Sequence, residues 1–177
     1  MTRAAPPPLL IMGVAGSGKS ALGRLLAEAT ASLFFDGDDF HPPENVARMR
    51  AGQPLTDADR AGWLDNIAAA MALHAQRRER CIVACSALKV RYRDRLRAAA
   101  PDLRVIFLDV PQAVAASRVG ARRGHYMPAS LVPSQFASLE APRGEANTLA
   151  LDACAPLQEL VEQARQWWLD GTTIDER

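Results

Sequence analysis

One eight-residue segment constrains this chain more than any other. Gly13-Val14-Ala15-Gly16-Ser17-Gly18-Lys19-Ser20 satisfies G-x-x-x-x-G-K-[ST] in full. A short apolar run, Leu9–Met12, precedes it, and a helical pattern over Lys19–Thr30 follows, with Leu22, Leu25 and Leu26 on one side. In that strand-to-helix context the glycines let backbone N–H groups converge on phosphate oxygens, and the helix N-terminus adds a favourable dipole. Lys19 then neutralises the β- and γ-phosphates, and the Ser20 hydroxyl ligates Mg²⁺. A chance glycine-rich turn needs neither the strand nor the helix, so Gly13 through Ser20 are read as a nucleoside triphosphate cradle.

The remainder alternates short apolar runs with helical patterns. Leu33–Phe35, Cys81–Cys85, Val105–Leu108 and the weaker 147–153 read as further strands, making five in all. A helix over 59–77 carries Trp63, Ile67 and Met71 at i, i+4 spacing, and a last helix over 156–170 carries Leu157, Leu160, Val161, Ala164 and Trp168 on one face. Strands alternating with helices imply an α/β fold with a parallel sheet covered on both faces. One domain over 9–170 is expected, with a disordered or extended segment over 1–8 and a tail over 171–177.

Composition excludes several other classes. The formal net charge is +1 and aromatics are 6% of the chain, so neither charge nor stacking surface favours nucleic acid. Nothing approaches the roughly 18 apolar residues of a membrane span. Cys81, Cys85 and Cys154 form no C-x-x-C pair and are read as free thiols, which points to a cytoplasmic protein.

Asp36-Gly37-Asp38 directly follows the second strand, and ligands of open α/β sheets bind beyond the carboxyl ends of strands. Of two carboxylates so spaced, Asp36 is the candidate to hold Mg²⁺ and Asp38 to accept the proton of an attacking hydroxyl. An Asp-Gly turn is the plainer alternative. Asp109, closing Val105-Ile106-Phe107-Leu108, either approaches the metal or begins the turn before Pro111. Lys19 and Lys89 are the only lysines among 21 basic residues, which marks Lys89 as a possible point charge for a ligand or else a surface residue. Arginines between glycines over 118–125 suit a lid closing on the phosphoryl group, Arg118 toward the nucleotide and Arg122 and Arg123 toward the transferring group; a solvated helix end is the alternative.

The phosphate loop, Asp36-Gly37-Asp38 leading to His41-Pro42, Leu55-Thr56-Asp57-Ala58-Asp59-Arg60 with Trp63-Leu64, Ser86-Ala87-Leu88-Lys89 with Tyr92-Arg93-Asp94, and Arg123-Gly124-His125 together resemble the small P-loop gluconate kinases. The resemblance runs from about Leu9 to Leu169. It implies a P-loop fold like that of shikimate and nucleoside monophosphate kinases, with a five-stranded parallel sheet and a mobile lid around 118–130. It also implies ATP- and Mg²⁺-dependent phosphorylation of D-gluconate on its 6-hydroxyl by a homodimer. Carried over by position, Asp36 and Asp38 match the acid pair, and His41, Arg48, Lys89, Arg93 and His125 fall in segments lining the sugar-acid pocket. The chemistry agrees, because a carboxylate with many hydroxyls needs a cation plus donors and acceptors.

Rival readings fare worse. A shikimate kinase would carry Gly-Gly-Gly after the third strand, where this chain has Ser86-Ala87-Leu88. A nucleobase acceptor would want aromatic walls. A GTP-binding switch needs Asn-Lys-x-Asp, and neither lysine follows an asparagine. A nucleic-acid-processing ATPase would want a basic surface.

Overall fold

The computed structural model describes residues 6–121 and 128–170. Five strands, β1 (Leu9–Met12), β2 (Leu33–Asp36), β3 (Cys81–Ala84), β4 (Arg104–Asp109) and β5 (Thr148–Asp152), form one parallel sheet in the order β2-β3-β1-β4-β5. The helices are α1 (Lys19–Thr30), α2 (Pro43–Arg50), α3 (Asp57–Gln76), α4 (Val90–Ala99), α5 (Gln112–Ala121), α6 (Val132–Ser138) and α7 (Leu157–Asp170).

Alternation along the central strand builds two cores. Leu9 and Ile11 of β1 pack with Leu22 and Leu26 of α1 and with Leu160, Ala164 and Trp168 of α7. Leu10 and Met12 face the other way, toward Trp63, Ile67 and Met71 of α3 and Leu96 of α4. Each large side chain so buried contributes about 1.5–3 kcal/mol of transfer free energy. Both expected stripes are found, except that Leu157, the first residue of α7, is exposed.

Helix α3 starts two residues earlier than its apolar stripe indicates. Thr56 accepts from the Asp59 backbone N–H while the Asp59 carboxylate accepts from Thr56 N, a reciprocal cap that satisfies two otherwise orphaned donors. Ahead of β1, Pro8 is buried and the Pro7 carbonyl accepts from Trp168 Nε1 at 2.8 Å, so residues 7 and 8 are tied to α7. All three cysteines are free thiols. Burial pushes Cys81 up to about 11 and Cys85 up to about 12, which makes both inert. Among the described residues, no helix is long and apolar enough to cross a membrane.

Candidate active site

The phosphate loop joins β1 to α1 at the carboxyl edge of the sheet. Gly16 sits at φ +80°, and a Cβ there would stand 2.5 Å from the Ala115 carbonyl, so both conformation and space require glycine. Protein donors and acceptors already hold the loop's outer arm. The Val14 carbonyl accepts from Ser17 N at 3.2 Å and from Lys19 Nζ at 2.9 Å. Arg118 of α5 donates to the Gly16 carbonyl at 3.4 Å and to the Ala153 carbonyl at 3.0 Å. Ala15 N donates to Gln135 Oε1 of α6 at 2.6 Å.

Ser20, on the first turn of α1, donates to Asp36 Oδ2 at 2.6 Å, and Asp36 Oδ1 accepts from Asp38 N at 3.1 Å. Asp36 thereby caps a short 3₁₀ turn over Gly37–Phe40, which turns Asp38 and His41 toward the loop. The close approach of Gly37 to the Ala84 carbonyl, 2.6 Å from an added Cβ, lets this turn lie against β3. Hard oxygen ligands at Ser20 and Asp36 suit Mg²⁺, which takes one or two protein ligands and fills its octahedron with phosphates and water. These groups surround a cavity of about 300 Å³ that Gly16, Lys19, Ser20, Asp38, His41 and Arg60 help to line.

A second cavity adjoins the first across a wall made by Met49, Arg60 and Gln135. Lys89 and Tyr92 line its far side. Lys89 Nζ donates to Asp57 Oδ1 at 3.0 Å, and Arg91 and the Tyr92 hydroxyl also donate to Asp57. These donors hold the Asp57 carboxyl below its ordinary value, the Tyr92 hydrogen bond first. Arg60 lies over the rings of Trp63 and Tyr92 at 5.8 and 5.9 Å, a cation held on aromatic faces between the two cavities.

Two substrate-site expectations need correction, those for Arg48 and Arg93, whereas His41 lines the first cavity. His41 stacks on Trp63 at 4.2 Å, and burial, with Arg60 nearby, lowers its pKa to about 4. It is therefore a neutral hydrogen-bonding group. Asn45 Nδ2 donates toward His41 Nδ1 at 3.4 Å, which leaves the ring proton on Nε2. Arg48 is half exposed, pairs with Asp59 at 3.1 Å and lines neither cavity. Arg93 is fully buried, and its five N–H donors go to Glu145 and to the carbonyls of Ala87, Leu88 and Glu140. It supports the loop before Lys89 and has no donor left for a ligand.

Of the alternatives for Asp109, the metal one fails. Its carboxylate pairs with Arg143 at a separate cleft beyond β4 and β5, away from Ser20. Arg122, Arg123 and His125 lie outside the described residues, as does the middle of the expected lid, 122–127. Arg60 and Gln135 are the site residues that sequence reasoning did not single out. Arg60 stood inside the Thr56-Asp57-Ala58-Asp59-Arg60 segment, whereas Gln135 carried no local signal.

A parallel sheet with a phosphate loop, an acid pair at the next strand and an adjoining cationic cavity defines a P-loop kinase of small molecules. The family model described as shikimate kinase matches residues 15–143. Gluconokinase of Gluconobacter oxydans (strain 621H) is 42% identical over 137 residues, covering 77% of each chain. Thermosensitive gluconokinase of Escherichia coli (strain K12) is 37% identical over 158 residues, covering 89% of this chain and 84% of its own. The crystal structure of a gluconokinase from Sinorhizobium meliloti 1021 superposes with a TM-score of 0.81 at 47% identity, covering 92% of this chain and 91% of its own. The chain belongs to the shikimate kinase-like P-loop family and, within it, to the gluconokinases.

Proposed function

We propose that this protein transfers the γ-phosphoryl group of ATP to the 6-hydroxyl of D-gluconate, giving 6-phosphogluconate and ADP. The observation that carries the acceptor is the cavity beside the phosphate loop. Its cations are Arg60 and Lys89, and its remaining polar groups suit hydroxyls. That lining fits a polyhydroxy acid better than an uncharged sugar, and membership of the gluconokinases supports the same acceptor.

The roles follow from charge and reach. The loop amides and Lys19 bind the triphosphate, and Lys19 exchanges the Val14 carbonyl for phosphate oxygens. Ser20 and Asp36 would hold Mg²⁺, which when bound supplies positive charge against the β- and γ-phosphates. Asp38 orients the 6-hydroxyl and takes its proton late, since the transition state is loose. Neutral His41 offers Nε2–H to a substrate hydroxyl. Arg60 and Lys89 attract the carboxylate, Lys89 exchanging Asp57 for it. Arg118 braces the loop from the nucleotide side, and Arg122 and Arg123, with His125 toward the sugar acid, are assigned from sequence alone. A homodimer in the cytoplasm is part of the same reading.

The test is ADP release from ATP and Mg²⁺ with D-gluconate, shikimate, D-glucose and nucleoside monophosphates offered separately. Turnover with gluconate and none with glucose is expected. Turnover with shikimate or a monophosphate but not gluconate rejects the reading.

A further inference from the structure

The two helices on either side of residues 122–127 both reach the same arm of the phosphate loop. Arg118 of α5 holds the Gly16 carbonyl, and Gln135 of α6 holds the Ala15 amide. The second contact is the shorter and the more deeply buried, since Gln135 is 7% exposed. The direction of the bond is set by chemistry. A backbone N–H only donates, so the amide oxygen must face Ala15 and Nε2 occupies the opposite corner of the side chain.

The phosphates are expected over the other arm, where α1 begins and its first N–H groups lack intrahelical partners. Ala15 lies outside that set. The start of helix α6 is anchored, because Leu131, just before it, and Val132, its first residue, are buried. Just beyond its end, Glu140 N donates to the Leu88 carbonyl at 2.8 Å, and Arg93 donates to the Glu140 carbonyl. One short segment is thus fastened to the phosphate loop at Gln135 and to the loop before Lys89 at Glu140. Gln135 also lines both cavities.

We propose that Gln135 is a positioning residue for phosphoryl transfer, fixing the Ala15 arm of the phosphate loop in register with the acceptor cavity. The inference rests on the kinase reading above but not on which acid is the acceptor. Losing the bond leaves the half-buried Ala15 N–H without its protein acceptor and lets the loop arm relax, which degrades both nucleotide binding and alignment.

Gln135→Met keeps the length and removes the acceptor. The dissociation constant of ATP with Mg²⁺, measured by calorimetry without acceptor, is expected to rise about tenfold. The kcat with gluconate should fall about tenfold while the gluconate KM changes less than about twofold. A folded Gln135→Met protein with unchanged ATP affinity and kcat overturns the proposal. If that variant does not fold, Gln135→Asn decides. It keeps the amide but is one methylene too short to reach Ala15 N–H, so ATP affinity and kcat should fall as for Gln135→Met, and unchanged values again overturn the proposal. Wild-type protein that binds ATP but ignores gluconate rejects the acceptor assignment, and the binding comparison still tests Gln135.

Discussion

Ser20 Oγ and Asp36 Oδ2 stand 2.6 Å apart, joining the first turn of α1 to the last residue of β2. The bond brings together, across 16 residues of sequence, the two oxygens best suited to hold Mg²⁺. Asp36→Asn should therefore retain nucleotide binding but need more Mg²⁺ for half-maximal turnover, and added Mg²⁺ should restore much of its rate. Asp38→Asn should lose about 10²–10⁴-fold in kcat, the usual range for a general base, without rescue by Mg²⁺. A Mg²⁺ titration of both variants checks the assignment, and rescue of the second alone reverses the two roles.

Lys19→Ala should remove nearly all turnover in a folded protein. One strong electrostatic contact to a transferring phosphoryl group contributes about 3 kcal/mol or more to transition-state stabilisation, a rate factor of about 10². Steady-state kinetics beside circular dichroism separates this loss from unfolding.

Lys89→Ala and Arg60→Met should each raise the gluconate KM strongly and the ATP KM little, as the acceptor-side role proposed for both cations requires. A selective rise in the ATP KM moves the altered residue to the nucleotide side.

Much of this site is legible in the sequence because its parts are local. The G-x-x-x-x-G-K-S spacing, the apolar run before it and the acids ending the second strand each lie within a few residues. Their convergence follows from parallel β topology, which aligns carboxyl ends on one edge. Gln135 is not legible in this way, since its partner lies 120 residues away and depends on how α6 packs. Arg93 illustrates the opposite error. An arginine in the segment that resembles the sugar-acid pocket, four residues after Lys89, reads as a ligand cation, and only the packing reveals five protein acceptor atoms around it. Helices α2, α4, α5 and α6 are short, and α4 in particular is dominated by arginines that hide its buried Tyr92 and Leu96.

Arg93→Met should be a stability variant. It strips the carbonyls of Ala87, whose φ is +43°, and of Glu140 of their side-chain donor and leaves Glu145 with Arg97 alone. Unpairing the buried Ala87 carbonyl while Glu145 keeps Arg97 costs about 1–3 kcal/mol, so Tm should fall by ~5 °C. The hydrogen bond from Arg93 is also the first cause holding the Glu145 carboxyl below its ordinary value of 4.5. A depressed folded value means the stabilisation is complete above the unfolded-state pKa and is lost as pH falls through the folded one. The wild type should thus lose stability below about pH 4.5, and Arg93→Met should lack this component, as thermal melts across pH 3–7 would reveal.

His41 should remain neutral throughout the physiological range. With its pKa lowered to about 4, folding is favoured by the neutral ring, so its contribution is full above about 6.5 and declines toward pH 4. An NMR titration of the imidazole should find no protonation between pH 6 and 8, and a midpoint near 6.5 would contradict the buried, Trp63-stacked placement.

The most direct test of the central claim offers D-gluconate and shikimate together, in equal amounts, to the wild-type protein with ATP and Mg²⁺. Products are then identified by mass and by ³¹P NMR coupling. The account predicts one phosphorylated product, gluconate carrying phosphate on its terminal CH₂ oxygen, formed in step with ADP. Phosphoshikimate as the main product, or ADP release with neither acid phosphorylated, would contradict it.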